Sequence, residues 1–393
     1  MTGKTRALLM IGMLTVGAVT IGMLTIGTST GSGPTADAHA AGSTRTRPAG
    51  HAIPLLAYYY IWFNRHSWTR AKIDYPALGR YSSGDPNVMR RQIEAAKSAG
   101  IEGFIVSWKD TATYDRRLRT LVSIAGQEHF KLAMIYEGLD FYRRPLPVAE
   151  VEAGFQKFLN TYANSPVFLR LHGKPLTIWS GTWKFSHGAV ARVTRNVRSK
   201  LLVLNTEKNV AGFLRLADVT DGDAYYWSSV NPATNTYYAA KLIDMSKAIH
   251  QHGGYWIAPF APGFDARLLD GKTEVRRYEG RTLRTEYATA TSSSPDVLGL
   301  ISWNEFSENT YVEPSQRYGN RYLDVLRQLR PETARPPSAI RSTAPGKHTL
   351  PSGYLPSLLR LIAFAGALVI GLGIIGYVRQ ARRRNKTASK TMG

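Results

Sequence analysis

The segment ISWNEFSENTYVEP occupies residues 301–314 and directly continues an apolar run, residues 297–301. The apolar run predicts a short buried strand. Two carboxylates, Glu305 and Glu308, follow this strand at a spacing of three residues. Barrels built from eight β/α units place their catalytic groups where strands end, and paired carboxylates are the usual equipment for cleaving glycosidic bonds. The segment therefore predicts the catalytic strand end of such a barrel.

Apolar strand patterns alternate with helical patterns between residues 51 and 330. The eight strand candidates are Leu55–Ile61, Gly103–Trp108, Lys131–Glu137, Pro175–Trp179, Leu201–Glu207, Asp221–Trp227, Gly254–Phe260 and Val297–Trp303. The helical candidates are Pro86–Ala99, Asp115–Gly126, Val148–Tyr162, Gly188–Ser199, Ala239–His252 and Arg281–Thr291. We predict an α/β fold with a single (β/α)8 TIM barrel. A doubly wound open sheet is the alternative, but no G-x-G-x-x-G turn follows the first strand.

Aromatic or acidic side chains end nearly every strand candidate. Aromatic rings can stack on sugar faces while polar groups bind hydroxyls, although such rings are equally common as packing residues. The predicted sugar-binding residues are Tyr58, Tyr60, Trp108, Lys109, Tyr136, Glu137, Trp179, Glu207, Tyr226, Trp227, Trp303 and Asn304. Pairing with an Arg or Lys is an equally good interpretation of Glu137 and Glu207. Glu305 and Glu308 are the predicted catalytic pair, with a solvated acidic loop as the alternative, whereas Glu313 is expected to shape the loop.

Composition narrows the classes of function. The chain has 393 residues and no Cys, which excludes disulfides, thiolate catalysis and Cys-ligated metals. The His residues of the central region show no metal-ligand spacing, so we expect no metal and no cofactor. The formal net charge is +22, but the Lys and Arg residues are scattered, without a basic helix or an RNA-binding signature. We therefore expect a polysaccharide or oligosaccharide partner and no nucleic acid.

Both ends of the chain predict export and anchoring. Residues 1–40 have a basic start, an apolar stretch and a small-residue cleavage site, which predicts a signal peptide. An uncleaved anchor is the alternative, because the apolar stretch is long for a signal peptide. Residues 41–50 form a polar linker to the predicted domain, residues 51–330.

The C-terminal region predicts a membrane span. Residues 331–354 are rich in Pro, Ser and Thr, which is typical of a stalk, and residues 355–378 contain an apolar run long enough to cross a bilayer. Residues 379–393 are basic and are expected in the cytoplasm. We predict a single-pass cell-membrane protein whose catalytic domain is extracellular and monomeric.

Several motifs resemble glycoside hydrolase family 99. The matching segments are Tyr58-Tyr59-Tyr60, residues 78–83 (LGRYSS), Asp85-Pro86, residues 96–108 (AKSAGIEGFIVSW) and residues 303–314 (WNEFSENTYVEP). The resemblance covers residues 57–329, and the last motif is the most specific. It implies a metal-independent (β/α)8 endo-α-mannosidase or endo-α-mannanase that retains anomeric configuration through a 1,2-anhydro sugar. By position, the resemblance implies that Glu305 helps to deprotonate the sugar 2-hydroxyl and that Glu308 is the general acid/base.

Three residues depart from the family pattern. Phe306 and Ser307 stand where the family usually has Trp-His, and Asn309 stands where it has Gly. These departures leave three alternatives open beside an endo-α-mannosidase-like hydrolase. They are a glycan-binding barrel without turnover, an endo-α-1,3-glucanase-like enzyme and a transglycosylating enzyme on the same fold.

Overall fold

The computed structural model describes residues 52–333. The predicted signal peptide, linker, membrane span and basic tail lie outside these residues, as does the predicted stalk except for residues 331–333. Within residues 52–333, no helix combines the length and the apolar character that crossing a bilayer requires.

The described part of the chain contains eight parallel strands that form one barrel-like sheet. They are β1 (Leu55–Tyr60), β2 (Gly103–Trp108), β3 (Lys131–Glu137), β4 (Lys174–Ser180), β5 (Leu202–Leu204), β6 (Gly222–Asp223), β7 (Tyr255–Phe260) and β8 (Val297–Leu300). Continuous ladders give the order β5-β4-β3-β2-β1-β8-β7-β6. One isolated parallel bridge, between Asn205 and Asp223, connects the two end strands.

A helix follows every strand. The helices are α1 (Pro86–Ser98), α2 (Ala112–Gln127), α3 (Val148–Thr161), α4 (His187–Arg195), α5 (Val210–Leu214), α6 (Tyr238–Gln251), α7 (Arg281–Ser292) and α8 (Arg321–Leu329). Asp85 caps α1 by accepting a hydrogen bond from the Asn87 backbone, and Pro86 occupies the first turn. Gly100, with φ +75°, follows the end of α1 and turns the chain toward β2.

Short helical turns and two-residue strands lie in the loops at both ends of the sheet. Four 3-10 turns cover Arg65–Thr69, Thr182–Lys184, Ala266–Leu269 and Tyr278–Gly280. Phe264–Asp265 pairs with Glu274–Val275 as an antiparallel hairpin after β7, and Arg170–Leu171 pairs with the start of β4.

The predicted α/β barrel architecture is confirmed as a barrel-like fold, with corrections at three strands. The fifth, sixth and eighth strands are shorter than predicted, because the chain leaves the ladder after Leu204, Asp223 and Leu300. Residues 210–214 and 321–329 form two further helices that were not predicted. Helix α5 has only five residues, too few for a hydrophobic period to be visible.

Side chains of each strand alternate between two apolar layers. In β1, Tyr58 and Tyr60 belong to the cluster inside the sheet, with Ile105 and Ile257. Tyr59 belongs to the outer cluster, where helix residues cover the sheet. This period of two follows from strand geometry and decides which strand-end residues face the mouth of the barrel.

Candidate active site

The segment after β8 folds into a tight loop whose own hydrogen bonds fix its shape. The Ser302 backbone N–H donates to the Thr310 carbonyl at 2.7 Å, and the two hydroxyls of these residues lie 3.0 Å apart. The Glu305 backbone N–H donates to Ser302 Oγ at 2.8 Å, and the Ser307 N–H donates to Glu305 Oε1 at 2.8 Å. The loop thus holds the Glu305 carboxyl in one orientation.

Glu305 and Glu308 both lie on this loop at the carboxyl end of the sheet. Glu305 is buried, and Glu308 is half-buried. Burial raises the pKa of Glu305 to about 8, with a further contribution from the nearby Glu308 charge. Burial also raises the pKa of Glu308, while the Arg143 charge opposes that shift. Two close carboxyls with raised pKa values can hold one proton between them near neutral pH.

Tyrosine side chains form the surface that faces the two glutamates. Tyr60 and Tyr226 hydroxyls lie 2.7 Å apart, and both tyrosines are close enough to Glu305 and Glu308 that these charges raise their pKa values further, beyond the effect of burial. Tyr58 packs edge-on against Tyr226, with ring centres 5.0 Å apart. Tyr58, Tyr60 and Tyr226 thus lie inside the sheet, and their contact with sugar stays a prediction.

We call the mouth of the barrel lined by Glu305, Glu308, Tyr60 and Tyr226 the cup. Polar residues at the ends of β2 and β3 lie near it. Glu137 accepts a hydrogen bond from Ser107 Oγ at 2.8 Å. Its charge raises the pKa of Tyr58 and the pKa of Glu308. Glu137 therefore lies at the cup, and its contact with sugar stays a prediction. The Lys109 ammonium donates to the Leu139 carbonyl at 2.5 Å. Lys109 thus ties down the loop after β3.

Five aromatic residues predicted to bind sugar face the wrong side of the sheet. They are Trp108, Tyr136, Trp179, Trp227 and Trp303, all buried in the outer layer between sheet and helices. Trp108, Tyr136 and Trp179 lie on strands, where their neighbours occupy the inward positions and alternation turns these three rings outward. Trp227 and Trp303 lie beyond the ends of β6 and β8 and pack in the same outer cluster. The prediction that they line the cup is wrong, and they are packing residues.

Contacts of these rings confirm the outward direction. Trp108 packs against Phe158 of α3 with ring centres 6.4 Å apart, and Tyr136 donates a hydrogen bond to the Glu150 carbonyl of α3. Trp227 stacks on Tyr238 of α6 at 4.6 Å.

Two polar residues of the predicted set also have structural contacts. Glu207 pairs with Arg215 at 3.0 Å beside α5, so pairing with a cation is the correct interpretation and the sugar-binding one is wrong. Asn304 is fully buried and accepts from the Tyr60 N–H at 2.8 Å while donating to the Tyr60 carbonyl at 3.0 Å. Asn304 is a clamp between the loop and β1, which corrects the prediction that it contacts sugar.

The three departures from the family pattern have distinct structural settings. Phe306 is fully buried and stacks on Tyr311 at 4.0 Å, below the cup surface. Asn309 has φ +53°, a left-handed conformation that Gly adopts freely and that Asn tolerates best among other residues. Ser307 is half-buried beside Glu305. Only Ser307 among the three therefore presents altered chemistry to the catalytic pair.

Sequence reasoning missed three residues of the cup. The Lys72 ammonium lies near Glu305 and favours its ionised form. Arg143 acts in the same way on Glu308, and the Trp62 ring lies 4.3 Å from the Tyr60 ring. Lys72 and Arg143 lie in irregular loops, and no local pattern marks them as neighbours of Glu305 and Glu308. Among residues 52–333, no three His, Asp or Glu side chains converge in a way that could hold a metal ion.

Glu313 fixes the end of the loop through buried hydrogen bonds. This agrees with the expectation that Glu313 shapes the loop. Its carboxylate accepts from Gln92 Nε2 at 2.7 Å and from the Tyr81 hydroxyl at 2.9 Å. Asn304 donates to the same Tyr81 hydroxyl at 3.3 Å. Burial raises the pKa of Glu313 to about 8, although the hydrogen bonds from Gln92 and Tyr81 oppose the shift.

This raised pKa predicts that stability falls as the pH rises. Between the ordinary Glu value near 4.5 and about 8, folded Glu313 holds a proton that the unfolded chain releases. The free energy of unfolding therefore decreases with pH across this window. We expect Glu313→Gln to remove about 2 kcal/mol of the loss between pH 5.5 and 7.5, measured by urea unfolding at both pH values.

The exposed Glu94→Gln substitution on α1 is the matched control and should leave the pH dependence unchanged. Carboxyls with lowered pKa, such as Asp265 beside Arg267, change charge below this window. An equal pH dependence in wild type and Glu313→Gln would show that Glu313 is ionised in the folded protein at pH 5.5.

A cavity of about 300 Å³ lies at the opposite end of the sheet. It is lined at the starts of β4 to β7 by residues that include Lys174, Arg198, Asp221 and His252. Arg198 already pairs with Asp221 at 3.0 Å, and Lys174 donates to the Arg198 carbonyl at 2.7 Å. Because barrels place their chemistry at the carboxyl ends of strands, we assign this cavity no part in the site.

Comparison of the sequence with known proteins agrees with the motif resemblance. The profile of glycosyl hydrolase family 99 matches residues 68–332. The glycoprotein endo-alpha-1,2-mannosidase of Mus musculus is 22% identical over 282 residues, covering 64% of this chain and 59% of the mouse protein. The chain therefore spans less than two thirds of this relative's length.

Solved structures share the fold. The family 99 endo-alpha-mannosidase from Bacteroides thetaiotaomicron superposes with a TM-score of 0.61 at 21% identity, covering 71% of this chain and 99% of that chain. A structure described as a glycoside hydrolase-like protein gives a TM-score of 0.58 at 15% identity, covering 72% and 95%. These likenesses show an α/β barrel-like fold. Since the family profile spans most of the chain, the protein belongs to glycosyl hydrolase family 99, a family of glycoside hydrolases.

Proposed function

We propose that the protein cleaves an α-linked glycan in the manner of a retaining endo-α-mannosidase, with Glu305 and Glu308 as the reacting carboxyls. One observation carries the proposal: both carboxyls lie on one hydrogen-bonded loop at the carboxyl end of the sheet, against the Tyr60–Tyr226 pair. The activity named for the mouse and Bacteroides relatives supports an α-mannosyl bond as the substrate. We also propose that the eight β/α units form a complete (β/α)8 barrel.

In the proposed first step, the sugar closes on itself. Glu305 removes the proton of the 2-hydroxyl, and the 2-oxygen attacks the anomeric carbon. The bond to the leaving oxygen breaks as Glu308 donates a proton to it, which gives a 1,2-anhydro sugar. In the second step, Glu308 takes a proton from water, water attacks the anomeric carbon, and Glu305 returns its proton to the 2-oxygen. Two displacements at one carbon retain the anomeric configuration.

The starting state needs an ionised Glu305 and a protonated Glu308. Burial in the free protein favours the proton on Glu305, which is the opposite arrangement. The Lys72 charge favours the ionised form of Glu305, and a hydrogen bond from the sugar 2-hydroxyl would add to this effect. We therefore expect that glycan binding moves the shared proton from Glu305 to Glu308.

Replacing Lys72 tests this account of the proton. Lys72→Met removes the charge that lowers the Glu305 pKa, so the acidic limb of the pH profile of kcat/KM should move to higher pH. The loss of activity should be larger at pH 6 than at pH 8. Lys72→Arg keeps the charge and should keep the wild-type profile. A Lys72→Met profile that is scaled down equally at all pH values would rule out this electrostatic role.

A product screen tests the proposed activity. The full chain is incubated with α-mannans, α-1,3-glucan and cell-wall polysaccharides, and the products are separated by chromatography. We expect oligosaccharides from one α-linked polymer, and none from the Glu305→Gln variant. Binding to a polymer without any product would instead favour a glycan-binding barrel that lacks turnover.

We propose that the regions outside the described residues set where the enzyme acts. Their sequences support a signal peptide in residues 1–40, a linker in residues 41–50 and a stalk in residues 331–354. They also support a membrane helix in residues 355–378 and a cytoplasmic tail in residues 379–393. The domain of residues 51–330 would then act as a monomer on glycans outside the cell.

A further inference from the structure

Four cations gather on one side of the cup rim. Arg143 follows β3, Lys184 follows β4 and Lys208 follows β5, while Lys241 lies in the first turns of α6. We call this group the rim cation cluster. Arg143 and Lys184 lie close enough to Lys208 that their charges add to the effect of burial in lowering its pKa, while the Glu207 charge opposes the shift. The Lys208 charge in turn adds to the effect of burial in lowering the pKa of Lys241.

Aromatic rings hold two of the cluster's ammonium groups in place. Lys208 Nζ lies 4.6 Å from the centre of the Trp183 ring. Lys241 Nζ lies 4.7 Å from the centre of the Trp227 ring and donates to the Tyr225 hydroxyl at 3.0 Å. Cation–π contacts position a cation without neutralising its charge. The Lys208 side chain is exposed, so its charge remains available to an anion.

Two nearby carboxylates are already paired with cations outside the cluster. Asp140 pairs with Arg144 at 2.7 Å, and Glu207 pairs with Arg215 at 3.0 Å. Among residues 52–333, no member of the rim cation cluster forms an ion pair. Clustering like charges costs free energy unless a counter-charge binds among them. An anionic ligand is the counter-charge that this arrangement suits.

Arg143 connects the rim cation cluster to the catalytic pair. The Arg143 charge lowers the pKa of Glu308, and it also lowers the pKa of Lys208. Arg143 lies on the loop after β3, whose neighbouring rings, Phe141 and Tyr142, are 87% and 74% exposed. Exposed rings beside an unpaired cation suit a charged sugar, because a ring can stack on the sugar face while the cation meets its anion.

We propose that the rim cation cluster is a binding subsite for an anionic sugar unit, one that carries a phosphate ester or a carboxylate next to the bond that is cleaved. The inference deepens the proposed function and rests on it for the position of the subsite beside the scissile bond. It names the substrate as an anionic α-glycan, a class that neither the motif resemblance nor the relatives' activities specify. Phosphate and carboxylate share the chemistry that Lys and Arg recognise.

The test compares three sugars that differ only at carbon 6. Mannose, mannose 6-phosphate and mannuronate are titrated into the full-length protein by calorimetry at low salt. We expect at least one of the two anionic sugars to bind tenfold or more tightly than mannose, and the preference to shrink as salt is added. The anionic sugar that binds more tightly shows whether the subsite takes a phosphate ester or a carboxylate. Equal affinity for all three sugars would overturn the inference.

Substitutions assign the preference to the cluster. Lys208→Gln should weaken binding of the preferred anionic sugar about tenfold, as expected for a lost charged hydrogen bond, while mannose binding stays unchanged. Lys247→Gln removes an equal charge from the exposed face of α6 and should change neither affinity. An anion preference that survives Lys208→Gln and Lys184→Gln together would place the subsite elsewhere and overturn the inference.

These experiments distinguish a failure of the proposed subsite from a failure of the proposed function. An anion preference in a protein that hydrolyses no polymer would keep the subsite and refute the proposed function. Hydrolysis of a neutral α-glycan, combined with equal affinity for the three sugars, would keep the function and refute the subsite.

Discussion

Glu308→Gln is expected to lower kcat on a natural glycan by about 10²–10⁴-fold, the usual contribution of a general acid/base. Glycan affinity should change only a few-fold, because Gln keeps the size and the hydrogen-bonding reach of the side chain. The measurement is steady-state hydrolysis combined with calorimetric binding of the same oligosaccharide.

The leaving group separates the roles of the two glutamates. A substrate with an acidic aryl leaving group needs no proton from Glu308, so Glu308→Gln should regain much of its rate on that substrate. Glu305→Gln should not regain it, because the 2-hydroxyl must still lose its proton. Glu94→Gln is the control and should match wild type on both substrates. Full activity of Glu308→Gln on the natural glycan would refute the assignment of Glu308.

Trp108→Ala is expected to lower the free energy of unfolding by about 3–5 kcal/mol, the usual cost of deleting a fully buried Trp. Trp108 is fully buried between β2 and α3 and makes no contact with the cup. The loss should appear in urea unfolding, and residual folded protein should keep its affinity for glycan.

Trp62→Ala is the contrasting variant. Its ring is half-buried beside Tyr60 at the cup, so we expect weaker glycan binding with little loss of stability. If Trp108→Ala instead weakened binding and left stability intact, the outward direction of the Trp108 side chain would be refuted.

The aromatic residues that were assigned to the wrong face of the sheet show what the sequence alone could not predict. An aromatic residue at a strand end can face the cup or the helices, and one step along the strand exchanges the two. Trp108 follows the inward-facing Ser107, and Tyr136 precedes the inward-facing Glu137. Runs such as Tyr58-Tyr59-Tyr60 are apolar on both faces, so their pattern gives no direction. The direction depends on the register of the strands in the folded sheet.

The loop that carries Glu305 and Glu308 was predictable for the opposite reason. Glu305 and Glu308 sit directly after a short apolar strand, within one continuous motif, so local sequence already places them together. Lys72 and Arg143 are brought to the same glutamates by loops that lie far away in the chain. Contacts of that kind depend on the path of each loop across the barrel mouth, which no periodic pattern encodes.

The anomeric configuration of the first product tests the central claim most directly. The full chain is mixed with an α-linked oligosaccharide, and proton NMR follows the anomeric signals before mutarotation mixes them. The two-step use of Glu305 and Glu308 predicts that the first-formed reducing end is α, with no such product from Glu305→Gln. A β product would mean that water attacks in a single inverting step, and it would contradict the proposed mechanism.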